Sequence, residues 1–299
     1  MRRTFIAVAV LSLLAACGGS GGSLDSGSTV PSDTIKIGAA DFTENQLLAA
    51  IYAQALKAKG IKVEQTAPLG TRETYLPALR DGSIDLIPEY TGNLLQYLNK
   101  SATQTAPDEV YAALRQTVSA PLTVLDKSAA EDKDAVVLSQ AVADRYHVKS
   151  IADLAPRCAE LVFGGPPEFQ TRPDGLPGLQ RHYHCTFRQF QPLDAGGPLT
   201  HKALTDGQVQ AADIFTTDPA IEQDHLVVLA DPANNFVAQN VVPLINSTKA
   251  TDQVRQVLNA ISAKLTTQGL IDLNRQLNAP DKPNVDSVAT DWLRVNSLG

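Results

Sequence analysis

Short apolar runs that hand over repeatedly to amphipathic helices are the feature that most limits how this chain can fold. Ile35-Lys36-Ile37-Gly38 reads as a strand. Residues 43–59 follow, with Leu47, Leu48, Ile51, Ala55 and Leu56 at three- and four-residue spacing, which predicts an amphipathic helix. Thr43 is its expected N-cap, with Gln46 completing a capping box, and Gly60 its stop. A strand at 61–65, a helix at 73–80 and a strand at 84–87 continue the pattern. Strands separated by helices predict βαβ units, a parallel sheet and the α/β class.

Helices are expected at 107–120 and 139–146, then a strand at 161–163. The Pro- and Gly-rich run 164–178 is long for a plain connection, and long loops in compact domains are often functional. Helices at 179–184 and 199–205 alternate with strands at 187–191, 209–215 and 226–229. Helices at 251–266, 269–277 and 285–295 close the chain. Two α/β blocks with a helical tail allow sequential domains, or two lobes with the tail packed back on the first.

The segment 81–93, D-G-S-I-D-L-I-P-E-Y-T-G-N, carries the most chemistry. Pro88 cannot donate to a central ladder and marks the expected strand end. Tyr90 and Thr91 then stand where a strand passes into a helix, a usual place for ligand contacts in α/β sheets. A tyrosine there offers a π face that attracts cations.

Arg2 and Arg3 precede a short apolar run from Phe5 to Leu14, which has signal-peptide character and is too short to span a bilayer. It ends in Leu14-Ala15-Ala16-Cys17, which resembles the bacterial lipobox and implies a 1–17 lipoprotein signal segment ending at Cys17, the cysteine becoming the lipidated first residue of the mature protein. The alternative is an ordinary secretory signal with an incidental cysteine. Residues 18–32, largely Gly and Ser, read as a flexible tether. The formal charge of −7, with no basic run, argues against a nucleic-acid partner. Cys158 and Cys185 are then the remaining cysteines, and in an exported protein they are expected to pair, for about 3 kcal/mol of loop-closure stabilisation. Neither a C-x-x-C nor an H-x-x-x-H pair supports a metal site.

Four stretches carry a family resemblance: 37–44, 82–92, E-F-Q-T-R-P-D-G at 168–175, and 212–221 ending T-T-D-P-A-I. With them the chain resembles substrate-binding lipoproteins of ABC transporters for osmoprotectants such as glycine betaine, choline and carnitine. The resemblance implies a type II periplasmic-binding-protein (Venus-flytrap) fold, with two α/β lobes around a ligand cleft. Lobe one would comprise 33–133 plus 243–299, and lobe two 134–242. It also implies an extracytoplasmic, lipid-anchored monomer without a cofactor. That monomer would deliver a small ligand to permease subunits driven by a cytoplasmic ATPase.

In such proteins aromatic rings cage the trimethylammonium group. Tyr90 matches the family tyrosine, and Asn93 falls where a threonine is usual. Glu168 and Arg172 match a pair four apart, whose arginine would bind a ligand carboxylate. Ala40 replaces a lysine, the second cage tyrosine falls near Asp134, the third aligns with Phe215 and the fourth with Gln239. The thinned cage also suits a polyol or a hydroxylated aromatic ligand, with Asp41 or Asp134 supplying charge. Thr91 and Asp218 complete the expected contacts, with Asp218 also read as an N-cap before Pro219. Phe42 is assigned equally to core or cleft. Glu131, Asp132 and Asp134 read as a solvated turn, and His147, His201 and His225 as surface residues. No G-x-S-x-G, H-E-x-x-H or phosphate loop supports an enzyme, although Glu89 and Glu168 offer two carboxylates. A lipoprotein that senses a ligand without transporting it is the other class that stays open.

Overall fold

The computed structural model describes residues 33–299. The leader, the lipobox Cys17 and the tether lie outside the described residues. No helix among the described residues is long and apolar enough to cross a membrane.

The first half runs β1 (Ile35–Ile37), α1 (Thr43–Ala58), β2 (Val63–Gln65), α2 (Arg72–Asp81), β3 (Leu86–Tyr90), α3 (Thr91–Leu98), α4 (Pro107–Thr117) and β4 (Leu122–Val124). The second runs β5 (Val136–Ser139), α5 (Gln140–Tyr146), α6 (Ile151–Leu154), β6 (Val162–Gly165), α7 (Leu176–Tyr183), β7 (Gln189–Pro192), α8 (Pro198–Thr205), β8 (Ala211–Asp213), α9 (Ala220–Gln223) and β9 (Leu226–Val228). The chain then returns through β10 (Val241–Asn246) to α10 (Asp252–Ser262), α11 (Thr267–Leu277) and α12 (Val285–Val295).

Two five-stranded sheets result, in the orders β2-β1-β3-β10-β4 and β7-β6-β8-β5-β9. Neither is purely parallel, although the alternation of strands and helices alone predicts a parallel sheet. β10 runs antiparallel between β3 and β4, and β5 antiparallel between β8 and β9. Each sheet carries helices on both faces, so apolar side chains bury on either side. The tail helices share the core of α1: Leu258, Leu270 and Leu293 pack in one cluster with Leu48 and Tyr52. Cys158 and Cys185 are joined by a disulfide that ties the 3-10 turn before β6 to the end of α7.

Pro88 does not end its strand. β3 continues to Tyr90, and Pro88 lies opposite Pro243 of β10. Two residues without N–H share a rung that exchanges no ladder bonds, so neither proline costs a hydrogen bond between β3 and β10. The Pro88 carbonyl accepts instead from Asn45 Nδ2 at 2.9 Å, and Asn45 Oδ1 accepts from the Ala40 N–H at 2.8 Å. Asn45 thereby fixes the turn into α1. The N-cap of α1 is Phe42 rather than Thr43, and no side chain caps it.

The two segments that connect the sheets lie side by side. Glu131 bridges Asn240, and the Asp132 N–H donates to the Gln239 carbonyl at 3.1 Å. This pairing places the acidic stretch 131–134 beside the opening between the sheets.

Candidate ligand site between the sheets

A cavity of about 490 Å³ opens between the two sheets, and a smaller one of about 50 Å³ adjoins it. Both are lined by Asp41 and Phe42 from the turn before α1 and by Glu168 and Phe215 from the second half of the chain.

Three aromatic rings meet there. The Phe42 ring centroid lies 6.0 Å from that of Tyr90 and 5.2 Å from that of Phe215. Phe42 thus belongs to the cleft and also packs on the cores of the first half. Phe215 is held from behind by Gly196, which has φ +60°; a Cβ at Gly196 would sit 3.1 Å from the ring. Only glycine combines that left-handed conformation with so close an approach.

Tyr90 is buried, and its hydroxyl donates to Glu44 Oε1 at 2.8 Å. Burial and the neighbouring Glu44 raise the phenol well above its usual range, so it stays a neutral donor. Glu44 Oε2 accepts from Thr217 Oγ1 and from Asn274 Nδ2, each at 2.7 Å. The Glu44 carboxyl joins α1, the loop after β8 and the tail helix α11 in one network. Burial raises its pKa, and burial together with Glu44 raises that of Asp132 well above the ordinary range. Asp132 and Asp134 are buried, so the solvated-turn expectation for 131–134 does not hold for them. The crossing segments enclose them.

Asp134 accepts from Asn93 Nδ2 at 2.9 Å, and both line the smaller cavity. Gln239 does not reach the cavity. Its Oε1 accepts the N–H groups of Gly92 and Asn93, each at 3.0 Å, and its Nε2 donates to Asn93 Oδ1. Gln239 caps the N-terminus of α3 and orients Asn93. Thr91 is fully buried as well. Its hydroxyl donates to the Ala238 carbonyl and accepts from the Asn240 N–H, binding α3 to the returning segment rather than facing the cavity.

Glu89 is not available for acid–base chemistry. It is fully buried and held bidentate by Arg72, with Nε–Oε1 at 2.8 Å and Nη2–Oε2 at 2.9 Å, and it also accepts from Tyr75. Arg172 lines the smaller cavity, 3.8 Å from Glu168 and 3.5 Å from Glu73 of α2, so it reaches across the opening. Its Nε is buried without a hydrogen-bond partner. Asp218 accepts from the Ala220 N–H at 2.8 Å, but the N-cap of α9 is Pro219 rather than Asp218, and Asp218 also contacts His201 Nε2 at 2.8 Å. Both line the larger cavity, so His201 is a cleft residue, whereas His147 and His225 are exposed. Asp41, Glu168, Arg172 and Phe215 lie at the cavity as the sequence predicts.

Glu44, Arg72 and Asn274 escaped the sequence reading. Glu44 and Arg72 each sit in the first turn of a helix that follows a β-strand, a position that could have flagged them. Asn274 carries no such signal, because it comes from a tail helix 230 positions from its partner Glu44.

Residues 33–295 match the family model for the substrate binding domain of ABC-type glycine betaine transport system. The chain is 28% identical over 303 residues to the glycine-betaine-binding protein of Pseudomonas aeruginosa, spanning 97% of this chain and 95% of that protein. It is 29% identical over 276 residues to the glycine betaine-binding protein YehZ of Escherichia coli, spanning 87% and 90%. Its fold matches the crystal structure of a glycine betaine/carnitine/choline ABC transporter, with a TM-score of 0.70 at 22% identity over 88% of this chain and 99% of that one. These relatives are substrate-binding proteins and not enzymes. With two lobes around a ring-lined cavity, the chain belongs to the family of substrate-binding proteins of ABC-type glycine betaine transport systems.

Proposed function

We propose that this protein captures a quaternary ammonium compound in the cavity between its sheets and delivers it to the membrane permease of an ABC importer. The observation that carries the reading is the meeting of Phe42, Tyr90 and Phe215 beside the buried Asp134 carboxylate. Ring faces and carboxylates both attract a cation, and withdrawal from water strengthens that attraction. Arg172, with its unpartnered Nε, is the group suited to a ligand carboxylate.

In this reading lobe one is 33–133 plus 243–299 and lobe two 134–242, with 131–134 and 237–241 as the hinge. Membership of β10 in the first sheet and the side-by-side pairing of the connecting segments support the division. A ligand that touches both lobes binds the closed form better, and that difference alone drives closure. Cleavage before Cys17 and lipidation of its thiol would hold the protein at the outer face of the cell membrane, with the Gly/Ser tether giving it reach.

A thermal-shift screen tests the ligand class. A ligand at a hundredfold excess over Kd adds about 2.7 kcal/mol of stability. Stabilisation of the protein by glycine betaine, choline or carnitine is expected. Stabilisation by polyols alone would refute the reading.

A further inference from the structure

Thr217 follows β8 in the second half of the chain, yet its polar groups are taken up by the first half and the tail. Its hydroxyl donates to Glu44 Oε2 at 2.7 Å, and its N–H donates to Asp132 Oδ1 at 3.1 Å. Asn274 Nδ2 donates to the Thr217 hydroxyl at 3.1 Å and to its carbonyl at 3.3 Å. Glu44 sits on α1, Asn274 on α11 and Asp132 on a connecting segment, 57 to 173 positions from Thr217. In the division proposed above, Thr217 belongs to lobe two and its three partners to lobe one.

These side chains are not placed to hold a ligand. Thr217, Glu44 and Asn274 border the larger cavity, but they are only 1%, 5% and 8% exposed. Both Glu44 oxygens are occupied, Oε1 by the Tyr90 hydroxyl and Oε2 by Thr217 and Asn274. What the three residues join is the two lobes. Other polar contacts between the lobes are weaker by position. Arg275–Glu222 is exposed, and Arg172–Glu73 is long at 3.5 Å. Exposed pairs add little, whereas hydrogen bonds inside a buried site gain from the low local dielectric. Hydrogen bonds fail beyond about 3.5 Å, so a small parting of the lobes at Thr217 breaks this set together.

We propose that Thr217, Glu44 and Asn274 form a clasp that favours the closed cleft independently of the ligand. They are positioning residues, setting affinity through closure and not through contact. A ligand that needs the closed form has an apparent Kd equal to its intrinsic Kd divided by the closed fraction. Loosening the clasp therefore weakens every ligand by the same factor, whereas Arg172 and the rings set the differences between ligands. The inference rests on the two-lobe reading above and is independent of the ligand class.

Calorimetry with glycine betaine, choline and carnitine, together with small-angle X-ray scattering of the ligand-free protein, tests it. Thr217→Val keeps the side-chain shape and loses the hydroxyl, and Asn274→Ala removes the tie to α11. Each is expected to weaken all three ligands by one common factor of about tenfold, the equivalent of one hydrogen bond. Each should also enlarge the ligand-free radius of gyration, and saturating ligand should restore the parent value. Thr217→Ser keeps the hydroxyl and should match the parent in both measurements. A purely structural role would lower the melting temperature and leave affinities and dimensions where they are. Losses that differ between ligands would make these residues ligand contacts, and unchanged affinities would leave the clasp without effect; either result overturns the inference. If none of the three ligands binds, the quaternary-ammonium reading falls and scattering alone decides. Expansion of the variants then upholds the clasp, and parent dimensions overturn it. Should Thr217→Val fail to fold, Asn274→Ala, which leaves the Thr217–Glu44 bond in place, carries the test.

Discussion

The Tyr90 hydroxyl donates to Glu44 Oε1 at 2.8 Å, so the ring that faces the cleft is anchored by a carboxylate shared with Thr217 and Asn274. The hydroxyl is therefore structural, and the proposed ligand contact falls to the ring face. Tyr90→Phe is expected to lower stability by about 1 kcal/mol, the net worth of one hydrogen bond, while keeping ligand affinity. Tyr90→Ala should weaken binding about tenfold or more through loss of the ring face. Thermal melts and calorimetry on the two variants separate the roles.

The Arg72–Glu89 pair is buried, bidentate and central to the first lobe. Arg72→Met leaves an uncompensated buried carboxylate and should cost about 3–5 kcal/mol in urea denaturation. Surface pairs such as Arg294–Asp291 should show almost nothing on the same treatment.

Gln239 closes the N-terminus of α3 through two backbone N–H groups. Gln239→Ala should destabilise by about 1–3 kcal/mol, because both donors are left without their partner. Freed from Gln239, Asn93 should turn and loosen Asp134, so weaker ligand binding is expected alongside. Gln239→Glu retains an acceptor and should recover most of the stability.

Arg172 is partly exposed, and its contacts with Glu73 and Glu168 are long. Arg172→Gln should change stability by less than about 0.5 kcal/mol. It should reduce affinity for glycine betaine by about tenfold while leaving choline, which has no carboxylate, unaffected. Equal losses for both ligands would remove Arg172 from the carboxylate role.

Burial and the nearby Asp134 charge push the Asp174 carboxyl up to about 7, against 3.8 in an unstructured chain. Between those values the folded protein holds a proton that the unfolded chain has released. Stability therefore falls as pH rises from about 4 to about 7, and levels off above. Asp174→Asn removes this contribution. The stability of the variant relative to the parent should rise across that window, by an amount on the order of 4 kcal/mol, in denaturation midpoints taken at pH 4, 5, 6 and 7.

Much of the architecture is legible in local pattern. The helix of 43–58, the tail helices and most strands of both sheets follow from apolar spacing, because burial of one face acts on residues a few positions apart. The 158–185 disulfide follows from two cysteines in an exported chain. β10 does not follow. Val241-Val242-Pro243 contains a proline that argues against a central strand; its register opposite Pro88 spares the β3–β10 ladder, and on the other side the Tyr111 hydroxyl donates to the Leu125 carbonyl that Pro243 cannot reach.

The site divides along the same line. Tyr90, Asn93, Arg172 and Phe215 were readable because each sits in a short stretch with its own chemical character. Glu44 and Asn274 are not, and Gln239 is read as a cage position rather than a helix cap, since their partners lie 46 to 230 positions away. Sequence by itself determined which elements form and that an aromatic residue, an arginine and several carboxylates were at hand. Tertiary structure alone decided which carboxylates are buried and paired, which polar groups cap helices, and which rings meet. Those outcomes depend on desolvation and on distances between segments far apart in the chain, and no local pattern encodes either.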